Sequence, residues 1–399
     1  MIELRAATPD EMPQVARVVS RALAIPASAF RDLRPEMTLC VFEDDRLATV
    51  HGSWPLTMRM NGRSVPISGV TTVATDPLDR GRGFLRMAVE RHFRELHEAG
   101  ERPLAVLYAS QAAIYHRFGY AVVSTHHRYL VEPRYIEFVE PLSVPGRLRE
   151  VDPDREFPLL VELYRRYRED KTGYVHRGRA MWRAGVLAPP ERAGHEKVAV
   201  CYEEDGEALG YLIYSTGPGP YEGPEPNQLV SVSEIVALTA TAYQAFWQLL
   251  ARMHLARFVE WPTVPADDPL PHLVTEPRML RDTARDGLLA RIVDLPAALA
   301  SRGYDADGEL VLEVPADPIC PWNAGRWRLE VGGGEAQVTA DAREPDLRIG
   351  IRALAVLLFG RLSATELIRM GMAEGRGDAA GRADRLFATR HAPFSPDRW

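Results

Sequence analysis

Three arginines and two glycines fall within seven residues, Arg80-Gly81-Arg82-Gly83-Phe84-Leu85-Arg86. That mixture suits the gripping of a diphosphate. Glycines let the backbone turn tightly and bring N–H groups to a ligand, a helix start adds partial positive charge, and guanidinium groups add full charges. The run has neither the Gly-Lys-Ser/Thr of a Walker loop nor the Gly-x-Gly-x-x-Gly of a dinucleotide fingerprint. A second place of interest is the tail, Ala392-Pro393-Phe394-Ser395-Pro396-Asp397-Arg398-Trp399, where two prolines stiffen the chain and two aromatics can anchor it. The histidines are unpromising as ligands: His126 and His127 are neighbours on a strand and point to opposite faces, and no others have metal spacing, so no metal is expected. Asp267-Asp268, in a Pro-rich loop, reads as a solvated turn.

The elements that hold the Arg/Gly run are legible around it. Gly69 to Thr75, including Val73-Ala74-Thr75, reads as a strand, and Gly83 to Ala99 as a helix with Leu85, Ala88, Val89, Phe93 and Leu96 at helical spacing and Gly100 as its C-terminal cap. Leu104 to Tyr108 is a buried strand followed by Ala109-Ser110-Gln111-Ala112-Ala113-Ile114-Tyr115. Upstream, Ile2 to Ala7 is a strand, and Thr8, Pro9 and Glu11 form a capping box before a helix. Hairpins are expected about Asp44-Asp45 and Asn61-Gly62. The order is β-α-β-β-β-α-β-α-β.

That order and these motifs resemble the GNAT acetyltransferases. Arg80 to Leu85 matches Arg-x-x-Gly-x-(small or apolar), the pyrophosphate loop, and the helix bearing Tyr115 precedes an aromatic-Gly-aromatic step, Phe118-Gly119-Tyr120. Gly69-Val70-Thr71-Thr72-Val73, the Ala109-Ser110 step, the length and the aromatic last residue narrow the resemblance to the enhanced-intracellular-survival (Eis) family of N-acetyltransferases. The resemblance implies acetyl-CoA as co-substrate, held by Val73, Ala74, Thr75, Arg80, Gly81, Arg82, Gly83, Phe84, Leu85, Arg86, Ser110 and Gln111. It implies Tyr115 as general acid toward the departing thiolate and the terminal carboxylate of Trp399 as general base. It implies a primary amine as acceptor, in an aminoglycoside, a polyamine or a lysine side chain, taken in a wide acidic pocket between the first two domains, and a homo-hexamer. One departure is Gly81, where family members often carry another Arg. Two rivals are a non-catalytic ligand-binding protein on a degenerate GNAT frame and an acyltransferase for longer acyl-CoAs.

With 399 residues, 46% of them apolar, the chain holds several cores. An α+β fold of three consecutive domains is expected. Residues 1–143 form a GNAT catalytic domain. Residues 144–290 form a GNAT-like domain that repeats the first, with strands at Val198–Tyr202 and Gly210–Tyr214 about Asp205-Gly206, but has Thr239-Ala240-Thr241 in place of the Arg/Gly loop. Residues 291–399 form a strands-then-helices domain that, in the family, is sterol-carrier-like. A Pro/Gly-rich stretch over 217–226 is expected as an exposed excursion. A net charge of −7 argues against nucleic acid as a partner. Three scattered cysteines and the lack of an eighteen-residue apolar run lead to the expectation of a cytoplasmic protein without a membrane partner.

Overall fold

A computed structural model describes residues 1–26, 33–223 and 226–399; Pro224 and Glu225 of the expected Pro/Gly excursion lie outside the described residues. The chain forms two compact units, one of residues 1–123, 288–389 and 399, the other of residues 124–287 and 390–398.

The first unit opens with β1 (Ile2–Arg5) and the capping box of Thr8 and Glu11, which leads through a short turn into α1 (Met12–Leu23). Strands β2 (Thr38–Glu43) and β3 (Arg46–Met60) meet at Asp44-Asp45, both left-handed at φ 49° and 64°. Strand β4 (Arg63–Thr75) follows through Asn61-Gly62 at φ 48° and 88°, the turn that Asn-Gly favours. Helix α2 (Phe84–Ala99) ends on left-handed Gly100 and leads to β5 (Leu104–Tyr108), α3 (Ala112–His116) and β6 (Ala121–Val122).

The second unit holds β7 (Thr125–Val131), β8 (Arg147–Glu150), α4 (Phe157–Tyr167), α5 (Arg179–Ala184), β9 (Glu196–Glu204) and β10 (Glu207–Pro218). It continues with β11 (Gln228–Ala237), α6 (Ala240–Ala251), β12 (Ala256–Pro265), α7 (Leu270–Leu273) and β13 (Thr283–Asp286). Its sheet runs β13-β7-β12-β11-β10-β9-β8. The boundary expected at 143/144 leaves β7 with the first segment, whereas β7 pairs with β12 and β13 here. Part of the expected excursion is also ordered, since Gly217 and Pro218 pair with Leu229 and Gln228 at the end of β10.

The chain returns to the first unit at β14 (Leu288–Ile292), wholly buried and antiparallel to both β5 and β6, so that the first sheet runs β1-β2-β3-β4-β5-β14-β6. The boundary expected at 290/291 falls inside this strand. Beyond it come α8 (Leu295–Ser301), β15 (Gly308–Val314), β16 (Gly325–Gly332), β17 (Glu335–Ala340), β18 (Leu347–Ile349), α9 (Ile351–Phe359), α10 (Ala364–Arg369), β19 (Ala373–Gly375) and α11 (Ala379–Phe387). Buried Arg291 of β14 donates to both oxygens of Asp317 at 2.6 Å, and Asp317 also accepts from Asn323 and from the amides of Ile319 and Cys320. A fully desolvated guanidinium needs such a carboxylate, and this pair ties β14 to the segment after β15. Among the described residues no helix is long and apolar enough to cross a membrane.

Candidate active site

Strand β4 is the floor of the site because it leaves its partner halfway. It pairs with parallel β5 only from Ile67–Leu104 to Gly69–Val106. Beyond Gly69 the β5-facing edge has no strand partner among the described residues. On its other side the register with β3 slips between Val50–Ala74 and Gly52–Thr71. The extra residues form a bulge, which bends a strand and raises its local twist. Thr72 takes the left-handed φ of 47°, costly for a β-branched residue, and its buried hydroxyl has no hydrogen-bond partner among the described residues. Gly52 is required opposite, since a Cβ there would lie 2.2 Å from Thr72 Oγ1.

The Arg/Gly run divides into structural and open parts. Asp79, buried, accepts Arg46 at 2.6 and 2.7 Å and Arg82 at 2.9 Å, and these hydrogen bonds hold its carboxyl below the usual range. Arg82 also donates to Glu43 at 2.6 Å and lies over the Phe84 ring. Arg82 is thus committed to two carboxylates, and Arg86 reaches Glu90 at 3.3 Å. Arg80 is exposed and makes no ion pair among the described residues. Gly81 and Gly83 sit at φ 81° and 85° with open space where a Cβ would be, and no side chain caps α2. Gly81 therefore serves the turn where an arginine would be strained. An uncapped helix start, two bare glycines and a free guanidinium fit the diphosphate of acetyl-CoA.

Val73 is half-buried against the cluster that holds Phe93, Tyr120 and Leu289; Ala74 is buried on the α1 side, and the Thr75 hydroxyl meets that of Thr49 at 3.0 Å. Ser110 and Gln111 are exposed at the start of α3, where Gln111 is the N-cap residue. Tyr115, on α3, packs edge-on against Tyr120 with centroids 5.6 Å apart. Burial pushes its hydroxyl up to about 12, so it keeps its proton at neutral pH. Trp399 lies in the same unit. Its main-chain oxygen accepts from Thr71 Oγ1 at 2.9 Å, and its ring meets the edge of Tyr108 at 6.1 Å. Its indole Nε1, buried without a hydrogen-bond partner among the described residues, lies 2.9 Å from the place a Cβ on Gly69 would take.

Gly69, Thr71 and Thr72 belong to the run Gly69 to Val73 that carries the family resemblance, but that run assigns them no role; a glycine inside an apolar strand is the signal that backbone is closely approached there. In the second unit the matching position is closed. Thr239 caps α6 by accepting the Ala242 amide at 3.1 Å, satisfying a donor that α2 leaves free. Asp268 is not the solvated turn residue expected. It accepts Tyr243 at 2.8 and 2.9 Å and the Leu270 amide at 3.1 Å, and burial pushes its carboxyl up to about 7.

Comparison with known proteins agrees with this architecture. Acetyltransferase (GNAT) domain models match residues 3–123 and 173–292, and a sterol carrier protein domain model matches residues 295–396. The chain is 32% identical over 380 residues to an uncharacterized N-acetyltransferase of Streptomyces avermitilis, covering 93% of this chain and 92% of that one. It is 34% identical over 316 residues to the N-acetyltransferase Eis of Mycobacterium tuberculosis, covering 76% and 73%. Among solved structures, Eis1 from Mycobacterium abscessus superposes over the whole of both chains with a TM-score of 0.83 at 27% identity. A GCN5-related N-acetyltransferase from Anabaena variabilis shares the fold over both whole chains with a TM-score of 0.88 at 22% identity. An anion-ready helix start beside a half-paired strand, two GNAT domains and a sterol carrier protein domain have one common account: the chain belongs to the Eis family of GNAT N-acetyltransferases.

Proposed function

We propose that this acetyltransferase moves the acetyl group of acetyl-CoA to a primary amine of a cationic small molecule, aminoglycoside-like or polyamine, or of a lysine side chain. Tyr115 acts as general acid and the Trp399 main-chain carboxylate as general base. The observation that carries the reading is the hydrogen bond from Thr71 Oγ1 to the Trp399 main-chain oxygen, on the stretch of β4 that β5 leaves open.

When bound, acetyl-CoA supplies an acetyl thioester. The backbone of Gly81 to Arg86 and the Arg80 guanidinium would hold its diphosphate, and the main chain of Val73 to Thr75, with Ser110 and Gln111, would aim the acyl arm. The Trp399 carboxylate orients the ammonium, which loses one proton to solvent to become the attacking amine; as the neutral nitrogen bonds to the carbonyl carbon, the carboxylate takes the second proton from it. An α-carboxylate with a pKa of about 3.5 is a weak base for an ammonium near 10, so orientation is the larger part of its role. As the C–S bond breaks, the Tyr115 hydroxyl gives its proton to sulfur, and the carboxylate's proton restores it by way of solvent. The products are an acetamide and free thiol. Following the family resemblance, we also propose a homo-oligomer, a hexamer.

Thiol release from acetyl-CoA, measured against a panel of aminoglycosides, polyamines and lysine peptides, tests this. Tyr115→Phe is expected to lower kcat about 100-fold on the best amine while acetyl-CoA binding stays unchanged. Full turnover by Tyr115→Phe removes the phenol from the mechanism.

A further inference from the structure

The second unit repeats the open strand pair of the first, and there the gap is filled. Strands β11 and β12 are parallel, and their ladder runs only from Gln228–Ala256 to Ser231–Glu260. Past that point Ser233 to Ile235 of β11 and Trp261, Thr263 and Pro265 of β12 close on Phe394 and Pro396 of the chain's own tail, leaving about 10 Å³ of space, room for one water at most. Toward the capped start of α6 a cavity of about 320 Å³ remains, bordered by His391.

The tail is held at both ends and in the middle. His391 lies between Asp170 at 3.2 Å and Asp267 at 3.4 Å, and the Ala392 amide donates to Asp267 at 3.0 Å. The Phe394 amide donates to the Thr172 carbonyl at 3.0 Å, and its ring is buried among Tyr164, Tyr174 and Trp182. Gly173, at φ 95°, permits this approach: a Cβ there would stand 2.5 Å from the Phe394 carbonyl oxygen. Asp397, buried, accepts Arg177 Nε at 2.7 Å and the Tyr164 hydroxyl at 3.2 Å. The other two nitrogens of Arg177 serve Glu234 of β11, 2.9 Å for Nη1, and the guanidinium lies over the Tyr164 ring. One buried cation thus joins the wall of the gap to the tail. A buried charge set of this kind fixes one arrangement, because losing any member strands the others.

We propose that the β11–β12 cleft is a receptor for residues 391–397 in place of a second acyl donor, and that Arg177 is a positioning residue which, through Asp397, fixes the main chain of Trp399. Only Arg398 separates Asp397 from Trp399, so their Cα atoms are at most about 7 Å apart and the tail has little slack. The cleft's occupancy stands by itself; the catalytic consequence rests on the proposed role of the Trp399 carboxylate.

Full-length wild type, Asp397→Asn and Gly173→Ala separate the two. Release of Trp399 by a carboxypeptidase, followed by intact mass, reads docking of the tail; kcat and the Kd of acetyl-CoA read its consequence. Both variants are expected to release Trp399 at least tenfold faster and to lose at least tenfold in kcat, with the Kd within twofold of wild type. Wild-type release rates in both variants overturn the receptor. Fast release with full kcat leaves the receptor standing and overturns the positioning role together with the terminal base. Hydrogen exchange on wild type guards against variants that do not fold. The Phe394 amide is expected to exchange at least 100-fold more slowly than in an unstructured peptide, and unprotected exchange overturns the receptor.

Discussion

Gly69 is where the tail residue and the strand meet most tightly. A methyl group there would stand 2.5 Å from Leu56 Cδ1 and 2.9 Å from the Trp399 indole nitrogen; the leucine methyl can turn aside, whereas the indole is a rigid ring. Gly69→Ala is expected to push Trp399 off Thr71 and to lower kcat about 100-fold, the scale of a misplacement near 1 Å, with acetyl-CoA binding retained; steady-state kinetics and equilibrium binding check it. The arginines of the loop are also expected to differ. Arg80 has no carboxylate partner among the described residues, so Arg80→Ala is expected to raise the KM for acetyl-CoA about tenfold with kcat nearly unchanged. Arg82 is spent on Glu43 and Asp79. Arg82→Ala is expected to lower the denaturation midpoint more than it weakens acetyl-CoA, and the reverse order would contradict the division drawn here. That division was closed to sequence reasoning because Glu43 lies on a different hairpin, brought near by the sheet.

Elements defined by local chemistry were legible in the sequence. Asp44-Asp45 and Asn61-Gly62 turn hairpins, Thr8 and Glu11 close a capping box ahead of α1, and Gly100 ends α2, because each rests on residues within one turn of one another. Strand β14 was not. Its five residues are buried on both faces, and its partners Tyr108 and Val122 lie far back in the chain, so nothing local marks where it pairs. What holds it is the Arg291–Asp317 pair, invisible for the same reason. Asp317→Ala leaves a buried guanidinium without its counter-charge and is expected to cost about 3–5 kcal/mol, read as a lowered urea midpoint for the first unit. The active-site elements fall between these cases. Strand β4 and helix α2 were readable from pattern and caps, whereas the Thr72 bulge, which needs β3 to exist, was not.

At the scale of the molecule, pH links the core to stability. His51 and His92 are buried with ring centroids 4.8 Å apart, and His92 Nε2 meets Ser68 Oγ at 2.9 Å. Burial pushes both imidazoles down, His51 to about 4. The unfolded chain therefore binds protons that the folded chain refuses. Stability is complete above pH 6.5 and is lost as pH falls from there toward 4, by roughly 3 kcal/mol for His51 alone. Denaturant midpoints at pH 7.5 and 5.0 check this, and His51→Gln is expected to flatten the difference; a midpoint that rises on acidification would contradict it. Turnover in the proposed mechanism depends on what the last residue contributes to chemistry. The most direct measurement is the kcat of a full-length chain whose Trp399 carboxyl is converted to a carboxamide by protein ligation. The change keeps the shape and the Thr71 hydrogen bond and removes only the charge and basicity. An account with Trp399 as base predicts about a 100-fold loss of kcat with acetyl-CoA binding unchanged; turnover equal to that of the free acid would contradict it.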